Sequence, residues 1–167
     1  MKDAIIIRDF VASDRYAVNS VATAAWNQYA NAFEQFDGLA AFLADTAALS
    51  TVADLIVAER NGTVVGLVGY AGPRRPRDPM FPAEWAIVRV LSVLPSERGR
   101  GVGRMLTQEC IDRARQEGVV TIGLHTSPVM RSALELYLRM GFAFYKPIPD
   151  RMGAPYALYA LNLYYHP

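Results

Sequence analysis

The sequence contains a single cysteine, Cys110, so the chain cannot form an intrachain disulfide. Its 17 basic and 16 acidic residues leave a formal net charge of +1, which argues against nucleic acid or an anionic membrane as the main partner. No apolar run reaches the roughly 20 residues that cross a bilayer, and the apolar residues 5–7 are too few for a secretory signal. We therefore expect a cytoplasmic protein, and we expect no metal site.

The sequence does have enough apolar residues for a folded core. Hydrophobic residues make up 52% of the 167 positions and charged residues 20%, proportions that are typical of a globular chain and not of a disordered one. No internal repeat or linker divides the sequence. We therefore predict one domain over residues 1–167.

Along the chain, the spacing of apolar residues changes between the pattern typical of strands and the pattern typical of helices. Predicted strands cover residues 5–7, 55–58, 64–68, 85–94, 119–124, 142–145 and 156–163. Predicted helices cover residues 16–29, 39–49 and 104–117, and a fourth begins at Ser127-Pro128. Asn61-Gly62 predicts a tight hairpin turn, residues 147–155 predict a Pro/Gly loop, and strand 85–94 is expected to be buried on both faces. The whole pattern predicts an α/β fold with a mixed sheet and helices on both faces.

A glycine-rich turn connects the apolar strand 85–94 to the helix that follows it. The turn consists of Arg98, Gly99, Arg100, Gly101, Val102, Gly103 and Arg104. A helix N-terminus leaves backbone N–H groups unpaired, and glycines let a phosphate approach those groups without meeting a Cβ. The arginines add positive charge. The turn therefore predicts a pyrophosphate site, although the same pattern is also compatible with a connection that binds nothing.

Two familiar phosphate-binding motifs do not match this turn. A nucleoside-triphosphate P-loop requires Gly-Lys-Ser/Thr, whereas Gly103 is followed by Arg104 and Met105. The dinucleotide motif Gly-x-Gly-x-x-Gly also fails, because Arg104 or Leu106 occupies its last position. The pattern Arg-x-x-Gly-x-Gly does match. It resembles the coenzyme A pyrophosphate loop of the GNAT superfamily of N-acetyltransferases.

A second motif strengthens this resemblance. Leu136-Tyr137-x-x-x-Gly141-Phe142 is similar to a GNAT signature and follows the first motif at the expected distance. The resemblance implies a GNAT fold with about seven largely antiparallel strands, acetyl-CoA as cosubstrate and an amine as acceptor. It also implies that the backbone of Leu91, Ser92 and Val93 binds the pantetheine arm and the thioester carbonyl, and that residues 98–104 bind the pyrophosphate.

The resemblance also implies a catalytic role for Tyr137. A phenol has a pKa near that of a thiol, so Tyr137 could protonate the departing thiolate. The alternative is an ordinary core tyrosine on a helix face. Many family members have an asparagine seven residues earlier, where this sequence has Met130, and Ser127 and Ser132 are the available substitutes.

The sequence leaves the general base and the acceptor open. Strand residues 86–90 contain no carboxylate, so the base candidates are Glu84, His125 and a water chain. The aromatic residues Trp26, Tyr29, Phe33, Phe36, Tyr156, Tyr159 and Tyr164 could line an acceptor pocket or fill the core. Arg74, Arg75 and Arg77 could contact an anion or form a solvated loop.

Two other functions are compatible with the same motifs. A non-catalytic acyl-CoA sensor would use the same fold and the same glycine turn. A nucleic-acid-binding protein would use the Arg-Gly-Arg-Gly stretch, but the balanced charge and the lack of interleaved aromatic residues argue against it. The tyrosine-rich C-terminal strand is also a candidate edge for a homodimer.

Overall fold

A computed structural model describes residues 3–164, in which all seven strands belong to one sheet. The strands are β1 (Ile5–Asp9), β2 (Asp54–Arg60), β3 (Thr63–Ala71), β4 (Ala86–Val93), β5 (Thr121–Thr126), β6 (Ala143–Arg151) and β7 (Ala154–Asn162). The helices are α1 (Arg15–Trp26), α2 (Phe36–Ala44), α3 (Val102–Gln116) and α4 (Arg131–Arg139). The strand order is β1-β2-β3-β4-β5-β7-β6. Every neighbouring pair is antiparallel except β4 and β5, which confirms the mixed α/β sheet.

The helices cover both faces of the sheet, as predicted. On one face, the buried side chains Val18, Val21 and Ala22 of α1 and Leu43 of α2 pack against β2 and β3. Their spacing along α1 places them on a single side of that helix. On the other face, α3 and α4 pack against the central strands around a separate core cluster. The sheet is therefore a buried central layer that holds the ends of β4 and β5 in fixed positions.

Several predicted helix boundaries are wrong by a few residues. The helix that follows the glycine turn begins at Val102 and not at 104, because Gly101 takes a left-handed conformation and serves as its N-cap. The predicted helix 39–49 is a short α2 followed by a 3-10 turn over Thr46–Thr51. Ser127 does not begin a helix: its hydroxyl accepts a hydrogen bond from the Val129 N–H in a turn, and α4 begins at Arg131.

The C-terminal region differs more from the sequence prediction. Residues 147–155 are not a loop, because β6 and β7 run through them and join at a turn of Met152 and Gly153, both with positive φ. Pro147 is tolerated because β6 is an edge strand, with one side free of backbone pairing. The candidate dimer edge is also wrong, because β7 lies between β5 and β6.

Strands β4 and β5 separate soon after they begin to pair. Their parallel ladder contains only Ala86 with Ile122 and Ile87 with Gly123. Beyond these two pairs, β4 still pairs with β3, but among residues 3–164 no strand pairs with its other side. The expectation that this strand is buried on both faces therefore holds only for its first half, since residues 89–91 are partly exposed. Within residues 3–164, no helix is both long and apolar enough to cross a membrane.

Candidate active site

A cavity of about 910 Å³ opens where β4 and β5 separate. Its walls come from α1 and α2, the second half of β4, the glycine turn, the end of β5, and α4. It is lined by Leu91, Ser92, Val93, Arg98, Gly99, Gly101, Val102, Gly103, Arg104, His125, Ser132 and Tyr137 among the predicted site residues. The fold therefore brings most of the predicted residues to one place.

A β-bulge shapes the β4 wall of this cavity. In the pairing of β3 with β4, Leu67 lies opposite Ser92 and Gly69 lies opposite Arg89. Between these two pairs β4 contains one residue more than β3, which is a β-bulge. Val90 has φ of 52°, a strained value for a β-branched residue. The Ser92 hydroxyl donates to the Val90 carbonyl at 2.8 Å and accepts from the Trp26 indole N–H at 3.0 Å. These bonds fix the bulge against α1.

The glycine turn presents a row of unpaired backbone donors. The N–H groups of residues 99–104 donate to no backbone acceptor within the described chain; the first bond of α3 runs from Met105 N–H to Gly101 O. Gly99 and Gly101 have φ of 73° and 83°, and a Cβ built on either would meet nothing within 4 Å. The backbone is therefore unobstructed beside these two glycines, as the approach of a phosphate group would require.

The three arginines of the turn have different environments. Arg98 donates from its guanidinium to the Ala25 carbonyl at the C-terminal end of α1 and to Gln28, so its side chain anchors α1 to the turn. Arg100 lies outside the cavity lining and pairs with Glu97 at 3.4 Å. Arg104 is exposed and lines the cavity. Arg98 and Arg104 are both exposed and both line the cavity, but among residues 3–164 only Arg98 of these two has hydrogen-bond partners for its guanidinium.

Tyr137 lies on α4 and faces the cavity opposite β4. It is 6% exposed, and its ring packs edge-on against Phe142 at 5.8 Å. Burial raises the pKa of its hydroxyl above the usual range, so the phenol keeps its proton at neutral pH. Gly103 brings α3 close to α4, since a Cβ there would lie 3.2 Å from Leu136 Cδ2. Tyr137 is thus fixed near the glycine turn.

His125 lines the cavity near the end of β5. Its Nε2 lies 2.6 Å from Arg151 Nη1. Because an arginine can only donate, Nε2 is the acceptor and the Nδ1 atom has the proton. Burial lowers the pKa of His125 to about 4, and the nearby Arg151 and Arg89 act in the same direction. The imidazole is therefore neutral, and the lone pair of Nε2 is already engaged.

Other predicted residues have less direct relations to the cavity. Glu84 is exposed and does not line the cavity, whereas Met130 is buried and does line it. Ser132 is an exposed lining residue at the start of α4. Of the predicted aromatic set, Trp26, Tyr29 and Tyr156 line the cavity, whereas Phe33, Phe36, Tyr159 and Tyr164 do not.

The basic loop also differs from its predicted roles. Arg77 lines the cavity, but its guanidinium donates to four backbone carbonyls, those of Gly72, Arg75, Pro82 and Trp85. It is therefore a structural residue that ties the loop together. Arg74 and Arg75 lie outside the cavity lining.

Two cavity residues were missed by the sequence analysis. Arg89 interrupts the apolar run of β4 and lines the cavity, and its charge in a buried strand was a usable signal. Arg151 comes from the far end of β6 and reaches His125 only through tertiary folding, so no local pattern could reveal it. Within residues 3–164, no three His, Cys, Asp or Glu side chains form a group that could bind a metal ion.

Solved structures with the same architecture support the assignment of the fold. The structure of yncA from Salmonella typhimurium, determined with acetyl-CoA, has a TM-score of 0.70 at 22% identity, and the match covers 98% of this chain and 96% of that one. The PaiA N-acetyltransferase of Thermoplasma acidophilum, determined with coenzyme A, has a TM-score of 0.74 at 16% identity, with 95% and 99% coverage. A GCN5-related N-acetyltransferase from Kribbella flavida has a TM-score of 0.73 at 26% identity, with 95% and 98% coverage.

Sequence relatives of this protein match about half of its chain. N-acetyltransferase 8B of Mus musculus is 36% identical over 86 residues, which are 52% of this chain and 36% of the mouse protein. L-2,4-diaminobutyric acid acetyltransferase of Nocardia farcinica is 36% identical over 83 residues, 49% of this chain and 39% of that protein. The matches thus span less than half of these relatives. The sequence model described as the Acetyltransferase (GNAT) family matches residues 19–142, and the chain belongs to this family.

Proposed function

We propose that this protein is an N-acetyltransferase that transfers the acetyl group of acetyl-CoA to a primary amine by direct attack in a ternary complex. The observation that supports this most strongly is the row of six backbone N–H groups at residues 99–104 that have no backbone acceptor among residues 3–164, next to open space at Gly99 and Gly101. Five of these six residues line the same cavity as Tyr137 and the free edge of β4. Family membership supports the same reaction.

The cosubstrate would be bound mainly by backbone atoms. The N–H groups of residues 99–104 would bind the pyrophosphate, helped by the positive end of the α3 dipole and by Arg104. Arg98 supports this site indirectly, because its guanidinium anchors α1 to the turn. The free edge of β4 at Leu91 and Val93 would pair with the amide groups of the pantetheine arm, as an added strand does. The N–H of Leu91 or Ser92, next to the bulge at Val90, would donate to the thioester carbonyl.

Tyr137 would then supply the proton for the leaving group. The amine nitrogen attacks the carbonyl carbon, a C–N bond forms and the C–S bond breaks with its electron pair on sulfur. The Tyr137 hydroxyl donates its proton to that sulfur and is reprotonated from water, while the proton lost by the nitrogen leaves to solvent. Ser92 would contribute by keeping the β4 bulge in place. The products are an N-acetyl amide and a free thiol.

We propose that water and not a side chain removes the proton from the acceptor amine. Glu84 is exposed outside the cavity lining, and the Nε2 lone pair of His125 already accepts from Arg151. With a pKa of about 4, His125 would also be a weak base at neutral pH. Ser132, at the start of α4, is available for a hydrogen bond to the pantetheine arm. A cytoplasmic location and a homodimer stay predictions from the sequence.

The test is a calorimetric titration of acetyl-CoA into the wild type and two glycine variants. In Gly101→Glu, a side chain and a negative charge enter the proposed pyrophosphate site, and we expect binding to weaken at least 100-fold. Gly62→Glu is a matched control, since Gly62 also has positive φ (79°) and open space for a Cβ but lies in the β2–β3 turn. It should bind as the wild type does, although both variants lose similar stability to backbone strain.

The outcomes separate the alternatives. Equal binding by all three proteins would contradict the proposed site, and absence of binding by the wild type would contradict the function. Binding by the wild type without acetylation of any amine in a broad panel would favour the acyl-CoA sensor. Thermal unfolding of each variant, measured beside the titration, shows that the loss in Gly101→Glu does not come from unfolding.

A further inference from the structure

The acceptor side of the cavity contains an arginine without a partner. Arg89 is partly buried on β4, beyond the last residue that pairs with β5. A Cβ built on Gly69 would lie 3.4 Å from the Cβ of Arg89, so both positions are on the same face of the sheet. This is the face that α1 and α2 cover. The side chain of Arg89 therefore enters the cavity beneath these helices. Among residues 3–164, no carboxylate lies within ion-pair distance of Arg89 and no hydrogen bond from its guanidinium is formed.

The other arginines of the cavity do not have this combination of burial and isolation. Arg77 donates to four carbonyls, and Arg98 donates to Ala25 and Gln28. Arg104 and Arg139 are exposed, so water satisfies their guanidinium groups. A partly buried cation without a partner is costly, because it has lost hydration and gained nothing in return. Burial accordingly lowers the pKa of Arg89, although the group remains charged at neutral pH.

A second cation lies near Arg89. Arg151 bonds His125 at 2.6 Å and is 3.6 Å from Asp78, a distance at the weak end of ion pairing. Its guanidinium carbon lies 5.9 Å from the centre of the Tyr156 ring. His125 is neutral, so this end of the cavity has two guanidinium groups and one carboxylate. Such a site attracts an anion and repels a second positive charge.

We infer that the acceptor is an amine that also bears a carboxylate, such as a free amino acid, and that Arg89 binds this carboxylate with Arg151 beside it. The inference rests on the proposed function and names its acceptor class. A guanidinium binds a carboxylate through two parallel hydrogen bonds, which would satisfy Arg89 and orient the amine.

The experiment compares matched acceptors with and without the carboxylate. Each set contains an amino acid, its primary amide and the amine that lacks the carboxyl group. One set is L-phenylalanine, phenylalaninamide and phenethylamine, and another is L-lysine, lysinamide and 1,5-diaminopentane. The sets belong to a panel of the common amino acids. For the accepted side chain, we expect kcat/KM to be about 10- to 100-fold higher for the amino acid, the range of hydrogen bonds between charged groups.

The variant that tests the role of Arg89 is Arg89→Gln, with Arg115→Gln as a control of equal charge change on the exposed end of α3. In Arg89→Gln we expect KM for the amino acid to rise about 10- to 100-fold, with little change in kcat and in the KM of the amide. Acetyl-CoA binding should be unchanged in both variants. A uniform loss with every acceptor would indicate a structural role for Arg89 and would overturn the inference.

A binding measurement keeps this test independent of turnover. N-acetylated amino acids of the panel are titrated into the protein saturated with coenzyme A, and binding should be lost in Arg89→Gln and retained in Arg115→Gln. Equal or better use of the amides and simple amines by the wild type would overturn the carboxylate inference and leave the acetyltransferase proposal intact. Failure to bind acetyl-CoA would instead overturn both.

Discussion

Tyr137 illustrates how burial changes what a single residue can do. The residue lines the cavity, yet it is almost fully buried and the pKa of its hydroxyl is raised. A raised pKa makes the phenol a weaker acid than a free tyrosine. The same apolar surroundings would also disfavour a thiolate and so would raise the pKa of the leaving thiol in parallel. The pKa values of the two groups would then stay close to each other, as the proposed proton donation requires.

We expect Tyr137→Phe to lower kcat by about 100-fold while the dissociation constant of acetyl-CoA stays near the wild-type value, because only the proton donor is removed. Steady-state kinetics and calorimetry on the same preparations measure both quantities. Tyr16→Phe is the control, since Tyr16 is 84% exposed on α1. An unchanged kcat in Tyr137→Phe would mean that the thiolate leaves without this proton and that Tyr137 is only a core residue.

The sequence could not predict the roles of residues that depend on partners far away in the chain. The glycine turn and Tyr137 belong to local motifs, and the resemblance of these motifs to GNAT signatures predicts their roles. His125 looked like a base because its usual pKa suits proton transfer, but the contact with Arg151 on β6 changes that reading. Arg89 was visible as a charge within an apolar strand, whereas its lack of a partner becomes apparent only in three dimensions.

At the scale of elements, the sequence predicted where strands and helices lie better than where they end. Every predicted strand exists, and the hairpin at Asn61-Gly62 forms as expected. The main error was to interpret the prolines and glycine of residues 147–155 as a loop. Pro147 is compatible with β6 because that strand lies at the edge, and this position depends on the order of the whole sheet. Local composition does not contain that information.

The short ladder between β4 and β5 leads to a prediction about Gly123. This residue pairs with Ile87, and a Cβ on it would lie only 2.4 Å from Cε3 of the buried Trp85 ring. We expect Gly123→Ala to lower the free energy of unfolding by about 1–3 kcal/mol, because the indole or β5 must move. Chemical denaturation followed by circular dichroism measures the change.

Gly38→Ala provides the opposite control for that measurement. Gly38 lies within α2 and a Cβ there meets nothing within 4 Å, so alanine should raise the free energy of unfolding by about 0.5–1 kcal/mol. If Gly123→Ala proved as stable as the wild type, the Trp85 ring would have room to move away. The ladder at β4 and β5 would then be less constrained than the packing implies.

At the scale of the whole molecule, the sheet consists of two parts that are connected by a short stretch of strand pairing. Strands β1 to β4 form one part and β5 to β7 the other, and in the sheet they are paired only at Ala86 with Ile122 and Ile87 with Gly123. The proposed cosubstrate would contact the free edge of β4, the N-terminus of α3 and Tyr137 of α4. It would therefore bridge both parts of the protein at the place where they separate.

This arrangement predicts both the size and the location of stabilisation by acetyl-CoA. At 100 times its dissociation constant, a ligand that binds only the folded state adds about 2.7 kcal/mol, which for a chain of this length raises the midpoint of thermal unfolding by about 5–10 °C. Hydrogen exchange of the backbone N–H groups should slow at residues 88–93 and 99–104, because these ranges include N–H groups without a protein acceptor. Exchange at the Asn61-Gly62 turn should not change. Gly101→Glu should lose both effects, because its ligand site is blocked, whereas Gly62→Glu should retain them. Protection elsewhere, with residues 99–104 unchanged, would place the cosubstrate outside the glycine turn and would contradict the proposed binding mode.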